Sequence, residues 1–470
     1  MTSSALGIAS MRMMLHSLLK KLKHMKRFHF IFFVAFAGVF TLQLQPIQAQ
    51  EKLTLQQAMQ MATQQNYSLK RAREQVRIAK NNVYQGNAGL LPTVSLQGGI
   101  NYSNNNSSFE FASGDTQSQN GAVSVGTNAS IRADYVLYNG GVNKRTYESL
   151  KLAAEQGNIT SQQVKQEVLV GLTASYYNIA ELQENYRVAL EAVKISKDRL
   201  ERAKKRQEFG TSNSINVLNS EVSLNNDNLT VVQLKQQLRN AKRNLNVFLG
   251  RDINIDFTVD SPGEFKAIAS LAQLKDEAYT KNVQLKNIKY TQLTSELNLR
   301  LAQGRRLPTV ALNASYGFNR NQNQAGFILV NQSLGLSAGL TVTYPLFDGN
   351  VGRKNVQNAK ISIDVAKTQY EEIKQQIDRD ITNAYANYEN NLNILKLNQQ
   401  NEVIAQKNFD AIKSSYNLGQ STNTAFREAQ LGLIRAKINT INAKFRAKFA
   451  EMSVLLLTGR LLEESPGGKK

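Results

Sequence analysis

YVLYNGGVNK (residues 135–144) is answered 209 residues later by YPLFDGNVGR (residues 344–353). In each stretch an alternating apolar run, with the two-residue period of a strand, ends in an aromatic residue and a glycine turn. A long polar pattern without proline follows at once. A strand handing over directly to a long helix, twice in one chain, is the feature that decides the fold.

Upstream of the first stretch, Val94, Leu96, Gly98, Ile100 and Tyr102 alternate with Ser95, Gln97, Gly99 and Asn101. Residues 103–121, rich in Ser, Asn and Gly, read as an exposed loop. Alternation then resumes, with Val123, Val125, Thr127, Ala129, Ile131, Ala133, Tyr135 and Leu137 on one face. A helical stretch over residues 53–88 precedes this strand pair. Downstream, residues 141–207 read as a single helix of roughly 100 Å at about 1.5 Å per residue. Ile179, Leu182, Tyr186, Leu190 and Val193 step by three and four along it, the spacing of a coiled-coil seam. EFGTSNSINVL (residues 208–218) breaks this helix at Gly210, and Ser212 or Ser214 is positioned to cap a return helix. That helix carries Ile215, Leu218, Val222, Leu229 and Val232 as its own seam, so the two form a long antiparallel hairpin.

The chain then repeats itself. Residues 55–69 resemble residues 271–285 in apolar spacing, and LPTV recurs at 91–94 and 307–310, both at an offset of 216. Tyr135 and Tyr344, Gly140 and Gly349, Gly210 and Gly419, and Gly250 and Gly459 are offset by 209. The difference of seven falls between the two strands, where insertions are best tolerated. An internal duplication follows, residues 50–260 and 261–460, each with a helix, two strands and a long helical hairpin. A linker over 251–270 contains Pro262 and Gly263. In the second copy Val310, Leu312, Ala314, Tyr316 and Phe318 alternate, as do Leu334, Leu336, Ala338, Leu340, Val342, Tyr344 and Leu346. Its long helix, residues 351–417, carries Ile377, Ile381, Ala384, Tyr388, Leu392 and Leu395. Residues 461–470 read as a short disordered tail.

Residues 1–49 place Arg12, Lys20, Lys21, Lys23, Lys26 and Arg27 before FHFIFFVAFAGVF and LQLQPIQAQ, the order of a secretory signal cleaved after Ala49 or Gln50. The long basic region leaves Met25 as an alternative start. Removing the segment takes six basic residues from a formal charge of +21, leaving +15, and takes all three histidines. The mature chain then has no His, Cys or Trp, so general acid–base catalysis and soft metal sites lose their usual residues and no cofactor is expected. No phosphate-binding loop or Walker sequence is present. The remaining basic residues are dispersed along helices among Asn and Gln, a solvated surface rather than a nucleic-acid interface.

The strands are long enough to cross a membrane, which takes about 9–11 tilted residues, and tyrosines border their apolar faces. Four strands cannot close a barrel, and lipid does not tolerate open sheet edges. Three chains would supply twelve strands. The duplicated unit, the passages YVLYNGG and YPLFDGN, and the turns EFGTSNSINVL and YNLGQSTNTAF, read as aromatic-x-x-Gly tips, resemble the TolC-like outer membrane factor family over essentially the whole mature chain. The resemblance implies a mixed, mainly α fold, in which coiled-coil hairpins form a periplasmic tunnel joined to a trimeric 12-stranded outer-membrane β-barrel. It implies a homotrimer in outer-membrane lipid, serving as the passive exit duct of a tripartite efflux or type I secretion system. A periplasmic adaptor and an inner-membrane transporter are its expected partners. Phe209, Gly210, Thr211, Leu418, Gly419 and Gln420 are the expected adaptor-docking tips. Tyr138, Gly140, Gly141, Phe347 and Gly349 are the expected barrel–tunnel junction. Some relatives close the periplasmic end with aspartates six and nine residues after a tip glycine. Here those positions are Asn216, Asn219, Ala425 and Glu428, with Arg427 beside the last. An exported coiled-coil scaffold of the envelope is the alternative; it accounts for the helices but not for the tyrosine-bordered strands.

Overall fold

The computed structural model describes residues 51–463, so the expected signal segment and nearly all of the expected tail lie outside it. In chain order the elements are β1 (Glu51–Leu53), α1 (Leu55–Gln65), α2 (Tyr67–Asn81), β2 (Thr93–Glu110), β3 (Thr116–Asn139), α3 (Val142–Glu208), α4 (Ser214–Leu249), β4 (Phe257–Val259), α5 (Leu271–Lys281), α6 (Val283–Gly304), β5 (Thr309–Asn323), β6 (Val330–Thr343), α7 (Val351–Asn417), α8 (Asn423–Leu457) and α9 (Arg460–Glu463). The run from α1 to α4 is repeated from α5 to α8. Helices α3 and α7 are each 67 residues long and proline-free, hence roughly 100 Å.

The buried residues repeat at the offsets of the sequence. Ala58, Ala62 and Leu69 correspond to Leu274, Ala278 and Leu285, while Val168, Leu172, Ile179 and Leu245 correspond to Ile377, Ile381, Tyr388 and Val454; all are buried. In the second copy these residues form one cluster that packs α5 and α6 against α7 and α8. On α7 the expected seam residues are buried, with Leu392 partly so.

Several expectations change in the structure, including the first residues of the expected disordered tail, since α9 runs to Glu463 and buries Leu461. The helix expected over 53–88 is two helices that meet at Asn66. The Asn66 side chain accepts from Ser68 N (2.9 Å) and Leu69 N (3.2 Å) and donates to the Phe248 carbonyl (2.9 Å). Asn282 repeats the arrangement, accepting from Gln284 N and Leu285 N and donating to the Leu457 carbonyl (3.1 Å). A buried Asn with both ends satisfied ends one helix, starts the next and ties both to the return helix.

The loop expected over 103–121 is mostly strand, with β2 reaching Glu110 and β3 starting at Thr116. Ser and Asn on both faces leave no apolar period to read, yet cross-strand pairs such as Ser108 Oγ–Ser118 Oγ (2.9 Å) complete the ladder. In the second copy the strand stops at Thr343 rather than running to Leu346, because Pro345 has no N–H to give to a ladder. Finally, the seam expected on α4 is not covered within the protomer. Ile215, Leu218, Val222, Leu229 and Val232 are 58–66 % exposed, and α4 instead buries Ser220, Ala241, Leu245 and Leu249. On α3 the matching stripe runs through the small residues Ala189, Ala192, Ser196 and Ala203, while Leu190 is exposed.

Candidate functional site

The four long strands form one antiparallel sheet in the order β2-β3-β5-β6, so β2 and β6 are its two unpaired edges. Its register sorts the side chains into two faces. One face carries the rows Val94–Ala133–Ala314–Ala338, Leu96–Ile131–Tyr316–Leu336 and Gly98–Ala129–Phe318–Leu334. The other carries Thr93–Asp134–Asn313–Gly339, Ser95–Arg132–Ser315–Ser337 and Gln97–Ser130–Gly317–Gly335. The apolar side chains lie open, Leu96 at 80 % and Leu336 at 74 % exposure. An exposed apolar sheet face of this extent is suited to lipid, and the polar face to water. No helix among the described residues is long and apolar enough to cross a membrane.

At the foot of the sheet, strand becomes helix through two left-handed residues in each copy. Gly140 and Gly141 have φ of 67° and 77°. Gly349 and Asn350 have φ of 67° and 64°. Asn350 is the only non-glycine with positive φ among the described residues, and the sequence reading did not single it out. The first junction is packed: Arg145 Nη1 donates to the Gly140 carbonyl (2.7 Å), and Asn143 Nδ2 donates to the Gly89 carbonyl (2.5 Å). A Cβ on Gly140 would lie 2.1 Å from the Gly304 carbonyl oxygen, whereas one on Gly349 would meet nothing within 4 Å. Tyr138 opposes Val310 across a bulge and is half-exposed; Phe347, outside any strand, is exposed.

The opposite ends of the long helices turn through matched caps. Gly210 N donates to the Gln207 carbonyl and Thr211 N to the Arg206 carbonyl. Gly419 N and Gln420 N do the same to Tyr416 and Ser415. Both are Schellman motifs with glycine in the left-handed position. They leave Phe209 (79 %) and Leu418 (74 %) exposed at the apex. Asn213, rather than Ser212 or Ser214, caps α4 by accepting from Asn216 N (3.2 Å), since its side chain stands one residue before the first helical turn. The two turns are joined: Asn423 Nδ2 donates to the Asn216 carbonyl (3.1 Å), and Arg206 stacks on the Tyr416 ring (4.4 Å) while donating to the Tyr416 carbonyl. Behind them Phe409, Tyr416, Phe426, Ala429 and Leu433 form an aromatic clamp between α7 and α8.

Of the residues considered for a constriction, Asn219 and Glu428 are exposed and Asn216 and Ala425 are half-buried. Glu428 lines a groove between α7 and α8 with Ala405, Asn408 and Ile412. Arg427 does not accompany it. Its guanidinium turns the other way and forms a two-pronged ion pair with Asp227 on α4, both bonds 2.9 Å, because adjacent helical residues point about 100° apart. Ser196 donates to the same carboxylate (2.5 Å), and Gln430 Nε2 donates to Ser196 Oγ (2.9 Å). Arg199 is buried beside them with Nε and Nη2 unpartnered. Burial, reinforced by the like charge of Arg427, pulls its pKa down to about 10. This polar knot across α3, α4 and α8 was missed in the sequence. Its signal is an arginine at a seam position, four residues before Ala203 and three after Ser196. Among the described residues no group of His, Cys, Asp and Glu could hold a metal ion.

The profile of a family described as outer membrane efflux protein matches residues 58–251 and 272–460. Outer membrane protein TolC of Escherichia coli (strain K12) is 21% identical over 426 residues, covering 87% of this chain and 83% of that protein. The pyoverdine export outer membrane protein OpmQ of Pseudomonas aeruginosa is 24% identical over 394 residues, covering 82% of this chain and 80% of its own. Among solved structures, the outer membrane protein VceC of Vibrio cholerae superposes with a TM-score of 0.69 at 15% identity, covering 86% of this chain and 96% of that one. The CmeC outer membrane channel of Campylobacter jejuni gives 0.70 at 17% identity, covering 86% and 85%.

Proposed function

Because the chain belongs to the outer membrane efflux protein family, we propose that three copies close one barrel and one helical tunnel and act as the exit duct for a transporter in the inner membrane. The protein is an outer-membrane channel component and not an enzyme. The observation that carries the proposal is the four-stranded sheet with two free edges, one apolar face and one polar face. Edge β6 of one copy pairs with edge β2 of the next, which closes twelve strands without an exposed ladder. The open stripe on α4 is then covered by a neighbouring copy, as apolar surface of that length requires.

The mature chain starts near Glu51 after loss of the signal segment. The turns bearing Phe209, Gly210, Thr211, Leu418, Gly419 and Gln420 are the docking surface for a periplasmic adaptor, since they present exposed apolar side chains on rigidly capped turns. Glu428 contributes to a constriction just above them. Purified protein reconstituted in planar bilayers tests the duct directly: it gives stepwise conductance, with higher single-channel conductance for Glu428→Gln. A wild type that never conducts sinks the duct. Unchanged conductance and cation block in Glu428→Gln sinks the constriction alone. Photocrosslinking from Phe209 and Leu418 captures the adaptor if the tips dock it.

A further inference from the structure

The polar face of the sheet is almost free of charge. From the row of Thr93 to the row of Ser103 it carries Ser, Thr, Asn, Gln and Gly besides one ion pair. Among the described residues of these rows, Arg132 and Asp134 are the only charged ones. They form an ion pair in which Arg132 Nε donates to both carboxylate oxygens at 3.0 and 2.9 Å. Asn313 Nδ2 donates to Asp134 Oδ1 as well (2.5 Å). The carboxylate is thus occupied, while neither terminal nitrogen of Arg132 has a hydrogen-bond partner, and the side chain is 46% exposed. Its cross-strand neighbours are Ser95 and Ser315, then Ser337, all too short to cover the guanidinium.

We infer that Arg132 is a selectivity-determining residue of the duct: three copies present guanidinium N–H donors to the lumen as a rung that favours anionic groups on passing solutes. Asp134 and Asn313 are positioning residues, which hold the guanidinium by Nε and leave its outer edge toward water. A planar group with fixed donors suits carboxylate, phosphate and sulfate oxygens. In a wall otherwise without charge, one such rung biases which ions enter.

The inference rests on the duct reading, and reversal potentials in a KCl gradient separate the two. Arg132→Gln is expected to lower the chloride-to-potassium permeability ratio by roughly twofold or more, and Arg132→Lys to keep most of it. Asp134→Asn, which frees the guanidinium of its counter-charge, is expected to raise the ratio. A structural role alone would move thermal stability without moving these ratios. Conducting channels with the wild-type ratio in both Arg132→Gln and Asp134→Asn overturn the inference and leave the duct standing. A wild type that forms no channel removes the duct reading and this inference with it.

Discussion

Gly140 and Gly349 are equivalent in sequence, but the structure gives them different tolerances. Alanine at 140 would place its Cβ 2.1 Å from a backbone oxygen, so Gly140→Ala is expected to abolish heat-resistant trimer in outer-membrane extracts. Gly349→Ala meets only the left-handed backbone cost, about 1–2 kcal/mol, and should still assemble. Arg199 is the opposite kind of residue, a buried charge with orphaned donors. Replacing such a group by a packed apolar one is often neutral or stabilising, so Arg199→Met should hold or raise the thermal midpoint of the helical circular dichroism signal. Glu277 offers a pH test. Two hydrogen bonds from Arg460 hold its carboxylate below the usual range. A depressed carboxylate pKa contributes stability above the unfolded value and loses it as pH falls through the folded value. The difference in midpoint between wild type and Glu277→Gln should therefore be full at neutral pH and close on acidification below about pH 4. The glycine difference and the Glu277 pairing were not legible in the chain, because each depends on what stands opposite the residue; Arg199 left only its seam position as a signal.

At the level of elements, long α3 and α7, their turns and the strand pairs were legible because period, glycine and absent proline are local signals. What was lost was the pairing of seams. Along α4 an apolar stripe at heptad spacing was read as facing α3, whereas the protomer buries Ser220, Ala241 and Leu245. The clamp between α7 and α8 and the knot at Asp227 decide how the hairpins sit at their tips. Phe426 packs edge-to-face on Phe409 (ring centroids 5.5 Å apart) and tilted on Tyr416 (4.9 Å), so Phe426→Ala should cost about 3–5 kcal/mol. Asp227→Asn strands the partly buried Arg427 guanidinium and should cost about 1–3 kcal/mol. Urea unfolding of the solubilised protein, followed by helical signal, checks both; values near zero would mean that the tips are held by the turns alone.

For the whole molecule the decisive fact is that the sheet is unfinished. Because the chain has no cysteine, introduced pairs report assembly cleanly. Chains carrying one cysteine in β2 and one in β6 should crosslink different copies into covalent trimers on oxidation, while pairs across β3 and β5 should crosslink only within a chain. The sequence by itself determined the duplication, the two strand-to-helix passages, the length of the helices and the two-faced strands, since periodicity and turn residues act over a few neighbours. Past residue 50 it also offers no His or Cys, the residues on which most catalysis and soft metal binding depend. Only the tertiary structure decided the strand order that leaves β2 and β6 as edges, the closeness of Gly140 to the Gly304 carbonyl, the knot around Asp227 and the Arg132–Asp134 pair on the polar face. Those depend on contacts between residues as far as 234 positions apart, and no local pattern encodes which distant side chain arrives.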